Sequence, residues 1–155
     1  MSVDSHTSAS HAQAFYLLCG KHLGRGMSRE VYECRIDPTL VVKVEERAGS
    51  FQNVVEWETW DRVKDTPYSR WFAECKWISD NGAVLLMERT IQPMPSQYPD
   101  KMPVFLCDFK RTNYGMAKSC NGAKTWLVCH DYGTSLLFEH GMTKRTRKIN
   151  WYDAD

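Results

Sequence analysis

"CDFKRTNYG", residues 107–115, gathers Asp108, Lys110 and Asn113 into one short polar run directly behind the apolar "VFL" of 104–106. A carboxylate, an ammonium and a side-chain amide at this spacing suit two roles. They can solvate an ordinary surface loop. They can also set a hydroxyl acceptor beside a phosphoryl group and its metal. The stretch alone is compatible with both, so the segments on either side decide.

Downstream, "TWLVCHDYG" (125–133) reads as a strand running into an acidic turn, with "NG" at 121–122 as the turn before it. Asp131 then falls at the end of a buried strand. It either caps a turn there or, with Asn113, offers hard oxygen ligands to a divalent cation. Upstream, "LVVKVEE" (40–46) is a strand whose apolar run is interrupted by Lys43. A lysine inside such a run is costly unless it faces outward or its ammonium finds a partner. The helical pattern of "SFQNVVEWETWDRVKD" (50–65) supplies one. Ser50 is the candidate cap, Asn53, Glu56, Trp60 and Val63 share a face, and Glu58 is either the competing partner for Lys43 or a solvated helix position. Pro67 limits the helix.

Earlier still, "LGRGMSREVY" places Gly24 and Gly26 between the candidate strands 14–24 and 30–36. Glycines let a backbone approach phosphates closely, although two in a tight hairpin also serve the turn. "RWFAECKWISD" (70–80) and "GAVLLMERT" (82–90) read as strands joined at "DNG". Pro93, Pro95, Pro99 and Pro103 exclude a regular helix across 91–103.

Composition narrows the classes. With 155 residues and 43% hydrophobic content, the chain can build one ordinary core. Twenty basic against nineteen acidic residues leave a net charge of +1, which argues against a bulk nucleic-acid binder. No apolar run has the length of a membrane span, and "MSVDSHTSASHAQ" lacks an apolar signal core, so a cytoplasmic protein is expected. Six cysteines are scattered without a CxxC pair and read as reduced, buried small hydrophobes. The histidines read as surface or turn residues, and without a Gly-x-Ser-x-Gly turn a Ser-His-Asp hydrolase is set aside. Residues 1–13 are expected to be a flexible lead-in, 14–142 a single domain, and 143–155 a charged tail. The basic "TKRTRK" (143–148) of that tail is read as solvated.

Taken in order, "LGRGMSREVY", "LVVKVEE", "NVVEWE", "DFKRTN" and "HDYG" resemble the protein kinase family across roughly residues 15–135. The specific part is Asp-x-Lys-x-x-Asn followed by an apolar strand and Asp-Tyr-Gly. The resemblance implies an α+β fold: an N-lobe of antiparallel sheet plus one helix, with a vestigial C-lobe carrying the catalytic loop and the D-x-G. It implies ATP and Mg2+ as ligands. Gly24, Gly26 and Val31 would enclose the nucleotide, Lys43 would contact its phosphates and pair with Glu56, and backbone around Glu88–Thr90 would hold the adenine. Asp108 would orient the acceptor hydroxyl and take its proton, Lys110 would neutralise the transferring group, and Asn113 and Asp131 would hold magnesium.

Departures from the family are equally visible. Arg29 stands at the third loop glycine, and Leu106-Cys107 replace the usual His-Arg before Asp108. Only residues 91–107 separate the hinge from Asp108, and no A-P-E motif follows Gly133. The expected function is a miniature ATP-dependent Ser/Thr protein phosphotransferase. The alternative is a kinase-like binding module, a pseudokinase that modulates a protein partner without transfer. Transfer to a small molecule, as in the antibiotic phosphotransferases, needs pocket helices for which the chain is short.

Overall fold

The computed structural model describes residues 15–46 and 49–154; the expected flexible lead-in 1–13 lies outside them. Five antiparallel strands form the main sheet in the order β1-β2-β3-β5-β4. They are β1 (Cys19–Arg25), β2 (Arg29–Cys34), β3 (Leu40–Glu45), β4 (Cys75–Ile78) and β5 (Val84–Glu88). Helix α1 (Gln52–Val63) lies between β3 and β4 in sequence. This is the expected α+β class, an antiparallel sheet with a helix.

β3 is the central strand, and its alternation sorts the core. Val41 pairs with Met87, and Lys43 lies between Val31 and Leu85. Val41, Leu85 and Met87 belong to the main core, while Leu40 and Val42 pack with Cys19 and Cys34 in a smaller cluster. A period of two therefore carries Lys43 to the main-core face. The outward-facing alternative for Lys43 is excluded: the residue is 4% exposed.

Two hairpins close with the same short code. In Ser79-Asp80-Asn81-Gly82-Ala83, the Asn81 Oδ1 accepts from Ser79 Oγ (2.9 Å) and Ala83 N (3.0 Å). In Ser119-Cys120-Asn121-Gly122-Ala123, Asn121 does the same at 2.7 and 3.0 Å. Each glycine takes positive φ, +73° and +69°, as such turns demand. The second hairpin joins β7 (Tyr114–Lys118) and β8 (Thr125–Cys129).

Several expected boundaries move. The first strand begins at Cys19 rather than 14, because 15–18 are helical. Ser50 does not cap α1: Phe51 holds that position at φ 55°, and the Ser50 hydroxyl bonds Ser28 Oγ at 2.8 Å. Thr59, not Trp60, joins Asn53, Glu56 and Val63 as buried, while Glu58 is exposed and is not the partner of Lys43. Residues 67–71 form a 3-10 turn led by Pro67, so the strand expected from 70 begins at Cys75.

The tail also departs from expectation. Its side chains at 144–148 are exposed, yet β9 (Thr146–Lys148) pairs with β6 (Lys101–Pro103), and Trp151 packs against the main core. A four-residue helix, α2 (Leu137–His140), precedes it. Cys19, Cys34, Cys75 and Cys129 are buried, and all six cysteines are free. Among the described residues, no helix is long and apolar enough to cross a membrane.

Candidate functional site

The site grows from one buried acid. α1 turns Glu56, fully buried, onto the helix-facing side of the sheet. Lys43 Nζ lies 3.0 Å from Glu56 Oε2 and also donates to the His130 carbonyl. Arg29 enters from β2 and binds the same carboxylate through both terminal nitrogens, at 2.7 and 2.8 Å. Its Nη2 also reaches Asp131 Oδ1 at 2.8 Å. The Tyr132 backbone N–H completes the ring at 3.0 Å from Glu56 Oε1.

Ions taken out of water cost several kcal/mol each unless they are paired and hydrogen-bonded, and Glu56 meets Lys43, Arg29 and the Tyr132 N–H. Burial pushes the Glu56 carboxyl up, but Lys43 and Arg29 outweigh it and bring it from 4.5 down to about 2. Burial likewise opposes the Arg29 charge, and Glu56 and Asp131 more than restore it. Asn53 locks the helix to this cluster. Its Nδ2 faces the carbonyls of Lys43, Gly82 and Ala83 at 3.0–3.2 Å, and its Oδ1 accepts from Arg29 at 3.2 Å.

The β7–β8 ribbon delivers the remaining groups. Its register, Tyr114 opposite Cys129, sets Asn113 across from His130, and His130 N donates to Asn113 O at 2.9 Å. Asn113 and Asp131 thus emerge at one end of the ribbon. Asp108 sits at φ +53°, a conformation that non-glycine residues rarely adopt and that turns its exposed carboxylate out of the loop. Asn113 Nδ2 holds it through Asp108 Oδ2 at 2.9 Å and the Asp108 carbonyl at 3.2 Å. Lys110 follows two residues on, half-buried.

The short linker after the hinge is offset by aromatic packing. Phe109 stacks on Tyr114 at 5.8 Å, and Trp151 from the tail meets both edge-on, at 5.4 and 4.8 Å. Phe72 packs between Phe105 and Tyr132, bracing the Asp131–Tyr132 segment.

The hinge is drawn tightly onto the ribbon. Ile91 and Met116 exchange backbone hydrogen bonds at 3.0 and 2.7 Å. A Cβ on Gly115 would lie 2.1 Å from Thr90 Oγ1, so only glycine allows this approach. His130 Nε2 faces the Thr112 carbonyl at 2.7 Å, which can only accept, so that nitrogen carries the proton. Burial and the nearby Lys43 lower the His130 pKa, leaving Nδ1 to accept from the Thr90 hydroxyl at 2.7 Å. His130 is therefore a strut between hinge and loop, half-exposed at the bend that follows β8. The backbone N–H groups of Glu88 and Arg89 are already used, by Glu74 O and Thr39 O, each at 2.8 Å. Thr90 is the hinge position whose N–H carries no internal bond among the described residues.

The β1–β2 turn is different in kind. A Cβ at Gly24 would meet nothing within 4 Å, and at Gly26 only the Arg29 carbonyl at 3.9 Å. Neither glycine has positive φ, so the fold itself does not demand them. A cleft of about 290 Å³ opens beside this turn, lined by Gly26, Ser28 and Arg29 among others. A larger one, about 670 Å³, lies under the hinge between Thr90, Arg111, Thr112 and His130. Neither is walled by Lys43, Glu56, Asp108 or Asp131.

Sequence reading missed two participants. Arg29 registers only as a lost glycine, because nothing local signals that β2 turns it inward. Tyr152 lies in the tail, 44 positions beyond Asp108, yet its hydroxyl donates to Asp108 Oδ1.

The chain matches no protein-family model and no curated protein sequence. Among solved structures it is similar to the ternary complex of APH(2")-IIa with streptomycin and ATP, at 17% identity and a TM-score of 0.39. That alignment takes in 57% of this chain and 29% of the other, so the chain spans less than a third of that protein's length.

Proposed function

We propose that the protein is a miniature, kinase-like phosphotransferase that uses ATP and acts on protein hydroxyls, serine or threonine in the first instance. One observation carries this reading: Lys43 pairs with the fully buried Glu56, and Arg29 links that carboxylate to Asp131, far along the chain, in a single polar network. Structural economy does not call for it, since apolar residues of similar volume commonly fill such a space at no loss of stability.

In this reading the open β1–β2 turn at Gly24 and Gly26, with Val31 behind it, receives the nucleotide, and Lys43 receives its phosphates. The hinge contributes backbone from Glu88 to Thr90, chiefly the free N–H of Thr90. Asp108 orients the acceptor and takes its proton, and Lys110 balances charge on the moving group. The donor set fits magnesium: Asn113 Oδ1 and Asp131 Oδ2 carry no hydrogen bond among the described residues, and this ion needs only one or two protein oxygens. When bound, the ion neutralises charge on the phosphate oxygens. A cytoplasmic setting, which keeps the six free cysteines reduced, belongs to the same proposal.

The test is incubation of the purified chain with labelled ATP and magnesium, in the presence of cell-lysate proteins. Label on protein, lost in Asp108→Asn, is the expected result; no label on any protein rejects transfer.

A second reading, a pseudokinase acting by occupying a partner protein, has one specific observation in its favour. Arg29 already neutralises Asp131, the carboxylate that magnesium would need. Thermal shift separates the two readings. Stabilisation by ATP that requires magnesium supports the enzyme. Stabilisation without magnesium, or none, supports the binding module.

A further inference from the structure

The last described residues of the chain lie along the loop that carries Asp108. Arg111 N donates to Tyr152 O at 2.8 Å, and Tyr152 N donates to Phe109 O at 3.1 Å. Trp151 Nε1 reaches Pro99 O at 2.7 Å, and Arg111 pairs with Asp153 at 3.1 Å. These four contacts fix the backbone on both sides of Tyr152. The residue is 47% exposed, yet its hydroxyl turns back to Asp108 Oδ1, while Asn113 occupies Oδ2. A surface tyrosine gains little from such a bond, because water would satisfy the phenol equally well. The contact is better explained by what Asp108 is there to receive.

We propose that Tyr152 is an acceptor in cis: the chain's own phenol occupies the place of the substrate hydroxyl, and the protein phosphorylates itself there. This rests on the phosphotransferase reading above. In the step, Tyr152 Oη forms a bond to the γ-phosphorus of a nucleoside triphosphate. The bond from that phosphorus to the β,γ-bridging oxygen breaks, the nucleoside diphosphate leaves, and the phenolic proton passes to Asp108 Oδ1. The self-acceptor is thus a phenol rather than the aliphatic hydroxyl expected of an outside substrate. The product carries a dianionic group against the Asp108 carboxylate, so the segment is repelled and the loop opened. Modification would convert a protein whose acceptor position is filled by itself into one that admits other hydroxyls.

The experiment takes the full chain with ATP, magnesium and added lysate protein, and maps phosphate by mass spectrometry. Phosphate at Tyr152, forming at a rate independent of protein concentration and absent in Asp108→Asn and Tyr152→Phe, is the expected result. Phosphate on other residues or on added protein, with none at Tyr152, overturns this inference and leaves the proposed function standing. A Tyr152 rate that rises with protein concentration overturns the cis assignment. No phosphate anywhere overturns both. A second readout needs no nucleotide: amide exchange across 108–113 and 149–153 should quicken about tenfold in Tyr152→Phe, the loss of one hydrogen bond. Unchanged exchange would show that the hydroxyl does not hold Asp108 in solution and would overturn the placement.

Discussion

Glu56 concentrates the energetics of this protein in two oxygens. It balances Lys43 and most of Arg29 at a site nearly closed to solvent. Glu56→Ala leaves both cations buried, and urea unfolding should report a loss of about 3–5 kcal/mol. Its pH signature follows from the depressed carboxyl. The group is easier to protonate in the unfolded chain, so its stabilisation is fully present above pH 4.5 and is lost as pH falls toward 2. Glu56→Gln should flatten the stability profile across that window, measured by denaturant melts at stepped pH. Asp108 is the opposite kind of residue. Exposed and held only at its rim, it should tolerate Asp108→Asn with a stability change below about 1 kcal/mol, read from the same melts, while transfer is lost.

The β7–β8 ribbon and the hinge act as a unit, because Gly115, Thr90 and His130 touch at one point. Gly115→Ala would drive a methyl into Thr90, whose Cβ as well as Oγ1 stands in the way at 2.4 Å. Overpacking of this kind costs about 1–3 kcal/mol, and calorimetry should show it as a lowered Tm. The ribbon's other end depends on the Ser-x-Asn-Gly-Ala turn, which fixes the register and with it the placement of Asn113 opposite His130. Arg29 couples β2 to the same ribbon through Asp131. Arg29→Ala should make ATP-induced stabilisation more dependent on magnesium, measured by thermal shift across a magnesium titration, since Asp131 is then free for the ion.

Among the described residues, the loop that carries Asp108 is held without long supporting helices. An N-terminal sheet with one helix faces a set of short ribbons, and the tail closes over them. Trp151 substitutes for missing scaffold by meeting Phe109 and Tyr114. Trp151→Ala should therefore cost about 2–3 kcal/mol, below the range for a fully buried tryptophan, and equilibrium unfolding would read it. The tail's backbone pairing with β6 and with the loop ties the end of the described chain to its middle.

Read as sequence, the apolar alternation around Lys43, the helical face of Asn53, Glu56 and Val63, and the "NG" turns already specify a sheet, a helix and a hairpin. These are local signals: periodicity and turn chemistry act within a few residues of one another. The pairing of Lys43 with Glu56 was legible because strand and helix are adjacent in the chain. Only the tertiary structure decided that Arg29 points inward to Glu56 and Asp131, that His130 braces the hinge, and that Tyr152 rests on Asp108. Each of these contacts joins segments 27 to 102 positions apart, or turns a polar residue toward a partner its neighbours do not announce. Charge and hydrogen-bond complementarity across such distances exists only once the core has brought the segments together, so no local pattern records it.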